Sequence, residues 1–327
     1  IPYEETTYNI PGAPYLALLS DLHNGDPAPV LSSLRSRHPN LICITGDILY
    51  GSKPEGNVSP LQTQANVLPF LTACASLAPT FLSLGNHEWM LDQEDLDMIR
   101  STGMTVLDNN WRSITVGGKE IILAGLTSGY VTDYRAFRAE SGSPDRYPRQ
   151  ESISGIGGAV HARDHKPETE WLPTFAGQAG YHILLSHHPE YFPLIPDSVD
   201  LILSGHAHGG QWRIFGHGVW SPGQGWWPKW TRGMYDGRLV VSTGLSNTTW
   251  IPRIGNPTEI DIWSRSYAAP LFLLHNIPNS IKKIEHATIQ TVRTKKPGRS
   301  RSGCFYESHL YENRVQIACS ERSEGLR

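Results

Sequence analysis

Cysteine is scarce in this chain: Cys43, Cys74, Cys304 and Cys319 are the four among 327 residues. Their spacings fit neither a zinc ribbon nor a disulfide framework. Cys43 falls inside an apolar run and Cys74 inside a helical pattern, so both read as small buried hydrophobes. The chain thus neither requires nor excludes an oxidising compartment. It also lacks any apolar run near the roughly 18–20 residues that span a bilayer. A dominant charge is missing too. The 28 basic residues nearly balance the 31 acidic ones, which makes no global case for nucleic acid. The bias that exists is local: residues 281–327 hold ten Lys or Arg and five Glu, against 18 basic and 26 acidic residues elsewhere. An acidic body with a basic tail is the result. The chain starts at Ile1 rather than Met, so an N-terminal anchor or signal is expected to have been removed.

What is present is a series of short apolar runs. Residues 15–20, 41–45, 80–84, 181–186 and 201–204 are continuous apolar stretches of the kind that form strands covered on both faces. Residues 121–124 and 238–242 read as further strands. Helices fit over 29–37, over 60–77 behind Pro60, and over 92–101 with acids in the first turn and Arg100 at the end. Alternation of strand and helix predicts an α/β class. Residues 126–170 are polar and rich in Gly, Ser and Arg, and are expected to be a long excursion over the site. Residues 209–233 hold Trp212, Trp220, Trp226, Trp227 and Trp230 among glycines and prolines. They are too irregular for a helix. Two readings stay open for them: loop aromatics packed on a sheet, or a rim that touches lipid or substrate, with Trp226 and Trp227 as its substrate-binding candidates. The α/β rhythm stops after Trp263. The expected division is therefore a domain over 1–265 and a basic, poorly ordered tail over 266–327.

Five polar pieces follow the apolar runs: Asp21-Leu22-His23, Gly46-Asp47, Gly85-Asn86-His87-Glu88, His187, and Gly205-His206-Ala207-His208. Taken singly each is weak. D-x-H is common, G-D is usually a turn, and exposed histidines are ordinary. Five in this order, each at a strand end where α/β active sites form, point to one metal-binding constellation. Asp21 and His23 can reach one ion, and Asp47 has two oxygens and can bridge two. Asn86 offers an amide oxygen, His187 and His206 supply imidazoles to the second ion, and His208 completes the first. Mixed nitrogen and oxygen donors favour Mn, Fe or Zn over Ca. Two such cations lower the pKa of bound water to about 7 and clamp phosphoryl oxygens, which suits phosphate-ester hydrolysis. His87, next to Asn86, is the candidate to protonate the leaving oxygen. The glycines at 46, 85 and 205 read as turns that need no Cβ near the metals. His182, inside a strand, and His188, facing opposite to His187, are assigned no role.

D-x-H, G-D, G-N-H-E, H and G-H-x-H in this order resemble the calcineurin-like metallophosphoesterase superfamily, over about residues 13–262. More narrowly, Gly205 to Gln211, then Thr231 to Tyr235, Gly244 to Ser246 and Asn256 to Ile260 are similar to a bacterial branch with a G-H-T-H-G-G-Q motif. That branch includes membrane-associated or exported phosphodiesterases and UDP-2,3-diacylglucosamine pyrophosphatases. Ala207 replaces its usual Thr. The resemblance implies a four-layer α/β sandwich, with two mixed β-sheets face to face and helices outside. It implies a first ion on Asp21, His23, Asp47 and His208, a second on Asp47, Asn86, His187 and His206, and His87 as the catalytic histidine. The expected activity is hydrolysis of a phosphodiester or pyrophosphate by a metal-bridging hydroxide, with lipid-linked molecules among the candidate substrates and a membrane-associated or exported bacterial setting. The rivals are a phosphomonoesterase of the same fold and a metal-stabilised binding scaffold without turnover. A nuclease is disfavoured, because no basic aromatic groove is apparent.

Overall fold

The computed structural model describes residues 3–148, 165–247 and 252–263. The expected tail over 266–327 lies outside the described residues. So does the middle of the expected excursion.

In chain order the strands are β1 (Glu4–Tyr8), β2 (Leu16–Leu19), β3 (Leu41–Ile44), β4 (Thr80–Ser83), β5 (Thr105–Leu107), β6 (Asn110–Val116), β7 (Lys119–Leu126), β8 (Tyr181–Ser186), β9 (Leu201–Ser204), β10 (Arg213–Ile214), β11 (His217–Gly218), β12 (Trp220–Ser221), β13 (Gly225–Trp226), β14 (Gly233–Tyr235), β15 (Leu239–Val241) and β16 (Glu259–Trp263). They build two six-stranded sheets, ordered β1-β16-β2-β3-β4-β5 and β14-β15-β9-β8-β7-β6. In the first, β2 to β5 are parallel, and β16 runs antiparallel to β2 and parallel to β1. In the second, β7, β8, β9 and β15 are parallel, with β6 and β14 antiparallel at the edges. Both sheets are mixed, as the resemblance implies.

The layering follows from the two-residue period of a strand. Leu16 and Leu18 of β2, Leu41 and Cys43 of β3, and Phe81 of β4 share one core with Ile183 and Leu185 of β8 and Leu201 and Leu203 of β9. That core lies between the sheets. The alternate residues Ala17, Leu19, Ile42, Ile44 and Leu82 face outward onto helices α1 (Ala28–Arg37), α3 (Val67–Leu77) and α4 (Gln93–Ser101). On the other sheet, Leu184, Ile202, Leu239 and Val241 pack against Leu172 and Phe175 of α6 (Leu172–Ala176). Burial on both faces is why these strands are apolar throughout. Each such side chain contributes about 1.5–3 kcal/mol by leaving water.

The structure corrects two helical boundaries. The helix expected over 60–77 is broken into α2 (Pro60–Thr63) and α3. Between them Asn66 is held by Asn24: its backbone N–H donates to Asn24 Oδ1 at 3.0 Å, and its amide donates to the Asn24 carbonyl at 2.8 Å. The loop that leaves β2 is thereby tied down at the cost of helical continuity. Part of the expected excursion is also helical. The helix α5 (Gly129–Ser141) is capped by the Ser128 hydroxyl, stopped by Gly142 at a φ of 59°, and buries Val131 and Tyr134. The tryptophan segment is non-helical, as expected, and forms two short hairpins, β10–β11 and β12–β13.

Candidate active site

The loops after β2, β3, β4, β8 and β9 bring Asp21, His23, Asp47, His87, His187, His206 and His208 together, and Asn86 directly precedes His87. Their ligand atoms form overlapping groups, each within 4.8 Å: Asp21 with His23 and His208, His23 with Asp47 and His87, and Asp47 with His187 and His206. Asp47 belongs to two of these. Its Oδ2 lies 3.1 Å from His187 Nε2, 3.7 Å from His87 Nε2 and 3.9 Å from His23 Nε2. Asp21 Oδ1 lies 3.5 Å from His23 Nε2, 3.6 Å from His208 Nε2 and 3.9 Å from His187 Nε2.

The backbone carries strain at these positions. Asp21, His23, Asp47, His206 and His208 have φ of 57°, 48°, 51°, 62° and 46°, left-handed conformations that non-glycine residues seldom adopt. Each costs on the order of 1 kcal/mol or more, and such strain gathers where a site dictates side-chain direction. The close approaches explain two glycines. A Cβ on Gly85 would stand 2.4 Å from Asp47 Oδ1, and one on Gly205 would stand 1.8 Å from Ser20 Oγ and 2.5 Å from Asp21 Oδ2.

Buried carboxylates and imidazoles set the electrostatics of the site. Burial pushes the Asp47 carboxyl up, but the His187 and His87 imidazoles outweigh it and hold the group well below the usual carboxylate range. Asp21 is likewise lowered, with His208 the leading favourable neighbour against its burial. Burial opposes charge on His187, yet Asp47 raises it to about 9. A cation on that imidazole would replace its proton. Burial lowers His87 to about 4 and His206 to about 3, so both are neutral at pH 7.

A fit to cations can be tested on orphaned atoms. Asp21 Oδ1, His23 Nε2, Asn86 Oδ1 and His187 Nε2 are buried and have no hydrogen-bond partner among the described residues. Buried polar atoms are otherwise nearly always partnered. His23 also donates from Nδ1 to the Leu49 carbonyl at 3.0 Å, which leaves Nε2 with its lone pair. The donor set fits divalent metals.

Residues 15–210 match the family model described as calcineurin-like phosphoesterase. The chain belongs to the calcineurin-like phosphoesterase family. That family normally uses a dinuclear divalent metal centre, and the groups above are candidate sites for one. F40B5.2 of Caenorhabditis elegans, named a metallophosphoesterase, is 29% identical over 214 residues, which cover 61% of this chain and 37% of that protein. The uncharacterized protein YpbG of Bacillus subtilis is 25% identical over 257 residues, 77% of this chain and 81% of that one. Among solved structures, a dimetal phosphatase from Danio rerio aligns with a TM-score of 0.39 at 12% identity, over 71% of this chain and 88% of that chain.

Several residues of this calcineurin-like domain were given no role by the sequence alone. Glu88 is fully buried, and its carboxylate accepts the backbone N–H groups of Asp47 and Gly85 at 2.8 Å, Ile48 at 2.9 Å and Leu49 at 3.3 Å. It ties the β3 loop to the β4 loop. Burial and the charge of Asp47 push it up to about 7, against the pull of those N–H groups. Its place in the G-N-H-E motif was the signal. Asn256 donates to the His208 carbonyl at 2.6 Å and the Gln211 carbonyl at 3.2 Å, which clamps the turn after β9. Arg253 donates to the Thr243 carbonyl at 2.7 Å, and its Nη2 lies 2.9 Å from His208 Nδ1. His182 packs edge-on against Phe175, with Nδ1 3.4 Å from Asp200 Oδ2. His188 is 1% exposed and packs on His206, with ring centroids 4.1 Å apart.

The aromatic segment divides. Trp230 packs edge-on against Phe192, whereas Trp226 and Trp227 are 67% and 70% exposed. These three tryptophans line a cavity of about 540 Å³ together with Glu190, Tyr191 and Lys166. The cavity adjoins the cluster of candidate ligands, because Glu190 Oε1 is 3.6 Å from His206 Nε2.

Proposed function

We propose that this domain hydrolyses a phosphodiester or pyrophosphate bond with two divalent cations. Asp21, His23, Asp47 and His208 would hold one, and Asp47, Asn86, His187 and His206 the other. The observation that carries this reading is the set of overlapping groups of buried potential ligands, two of which include Asp47, with several of their atoms unpartnered. Bound there, the cations would supply an acidified water and neutralise charge on the phosphoryl group. Nitrogen and carboxylate donors favour Mn, Fe or Zn.

The remaining work falls to the chain. His87 lies at the rim of the cluster with its side chain 24% exposed, and its Nδ1 is 3.3 Å from the Leu49 carbonyl. With that nitrogen donating to the carbonyl, Nε2 faces the cluster with a free lone pair. A phosphoryl anion beside it favours the protonated ring, which then passes the proton from Nε2 to the leaving oxygen. His87→Ala is expected to lower kcat on bis-p-nitrophenyl phosphate by about 10²–10⁴-fold while two equivalents of metal remain bound. Loss of metal with the activity would reassign His87 to the ligand set.

The cavity beside Glu190 supports a diester over a monoester, because it offers room for a second substituent on phosphorus. Its wall of Trp226 and Trp227, with Lys166 and Lys229 beside them, suits an apolar group next to an anionic headgroup. This favours a lipid-linked substrate and a working place beside a membrane surface. The double change Trp226→Ala and Trp227→Ala is expected to raise KM for a lipid-linked pyrophosphate about tenfold or more, since each ring buries up to 150–250 Å². Turnover of a soluble diester should hardly change. Equal effects on both substrates would sink the lipid assignment.

A further inference from the structure

We propose that Glu190 is a positioning residue for the second cation, acting through His206, with His188 as its own support. This inference rests on the two-cation reading. His206 belongs to two groups of potential ligands, one with Asp47 and His187 and the other with His188 and Glu190. An imidazole offers one nitrogen to a metal and leaves the other to a second partner, most often a carboxylate or carbonyl that fixes the ring's orientation and tautomer. His206 Nε2 is buried, has no hydrogen bond among the described residues, and lies 3.6 Å from Glu190 Oε1. That is about half an ångström beyond an ordinary N–H···O bond. Nε2 therefore faces the glutamate, and Nδ1 is left for the cation shared with Asp47 and His187.

The support behind Glu190 has a consistent polarity. Ser128 Oγ is 2.8 Å from His188 Nε2, and His188 Nδ1 is 3.3 Å from Glu190 Oε1. The Ser128 hydroxyl donates to Nε2, Nδ1–H donates to the carboxylate, and the carboxylate stands 3.6 Å from His206 Nε2, close enough to accept from it after a small shift. The His188 side chain is fully buried and its ring lies against the His206 ring, so the row has little freedom to rotate. His188 thus gains a role, and Pro189-Glu190 becomes part of the motif that begins at His187.

The test uses chelator-stripped full-length protein titrated with Mn²⁺, with bound equivalents counted by electron paramagnetic resonance and melting temperature measured without metal. In Glu190→Ala, the second equivalent should bind about 10–100-fold more weakly, with the first equivalent unchanged and the metal-free melting temperature lowered only by the loss of the acceptor for His188 Nδ1–H. Glu190→Gln keeps an acceptor for Nε2–H and should recover most of the affinity. Should Glu190→Ala fail to fold, Glu190→Leu carries the same expectation. Two equivalents bound by wild type and variant with equal affinity would overturn the assignment and leave the two-cation reading standing. A wild type that binds no pair of ions would overturn that reading as well. Three equivalents in wild type and two in Glu190→Ala would overturn the positioning role in favour of a third cation on His188, Glu190 and His206.

Discussion

Asp47→Asn should abolish metal-dependent diester hydrolysis, with a loss of about 10³-fold or more, and should weaken both cations at once. The size of the effect follows from geometry. Asp47 Oδ2 stands between His187 and His23, which belong to opposite halves of the cluster. Loss of a group that only orients a ligand costs about 10–100-fold in affinity at one ion, whereas this change would remove a shared ligand from two. The substitution is isosteric. Asp47 Oδ1 accepts the His87 backbone N–H at 2.8 Å, and the asparagine oxygen can keep that bond, so the loops should hold their places. What is lost is charge, together with the screening that a bridging carboxylate provides between two cations. Metal content read by mass spectrometry beside the rate separates the cases. A variant that keeps two tightly bound ions and a tenth of the activity would show that Asp47 is not the bridge.

Glu88→Ala should produce the largest loss of stability among the site residues. Four backbone N–H groups, those of Asp47, Ile48, Leu49 and Gly85, converge on this carboxylate. Each donor left buried without a partner costs about 1–3 kcal/mol, and some will be rescued by water entering the gap. A net loss of about 3 kcal/mol lowers the melting temperature by about 6–12 °C in a domain of this size. Glu88→Gln keeps one acceptor oxygen but presents an NH₂ group to donors, so an intermediate loss is expected. Because two of the four donors belong to Asp47 and Gly85, metal affinity should fall in parallel with stability. A melting temperature within about 2 °C of wild type in Glu88→Ala would show that the loops after β3 and β4 are held by something else.

Much of this arrangement could be read from the residues alone. Strands β2, β3, β4, β8 and β9 were legible because both of their faces are buried, which leaves an uninterrupted apolar run and a polar ligand directly after it. Strand β16 was harder, because Glu259 and Asp261 are fully buried. A charged pair in a central strand contradicts the apolar pattern, and only the fold supplies Arg232, 2.7 Å from Glu259, and the Thr243 N–H that Glu259 accepts at 2.9 Å. Strand β1 alternates exposed and half-buried residues at the sheet edge, too polar to stand out. The break at Gln64 to Asn66 depends on Asn24, which is distant in sequence. His188 was read by alternation as pointing away from the metals. What it meets, Ser128 and Glu190 beside the His206 ring, is set by packing between separate loops. Ligand types follow motif spacing, and the shell behind them follows tertiary contact.

Two cations at the Asp47 junction are proposed here to drive diester hydrolysis. That role is tested most directly by stripping the protein of metal, reloading it with Mn²⁺, and measuring turnover of bis-p-nitrophenyl phosphate beside p-nitrophenyl phosphate against bound equivalents. Negligible rates without metal, activity that rises with the second equivalent, and a higher kcat/KM for the diester are expected. Two bound ions with no turnover of either ester, or a clear preference for the monoester, would contradict it.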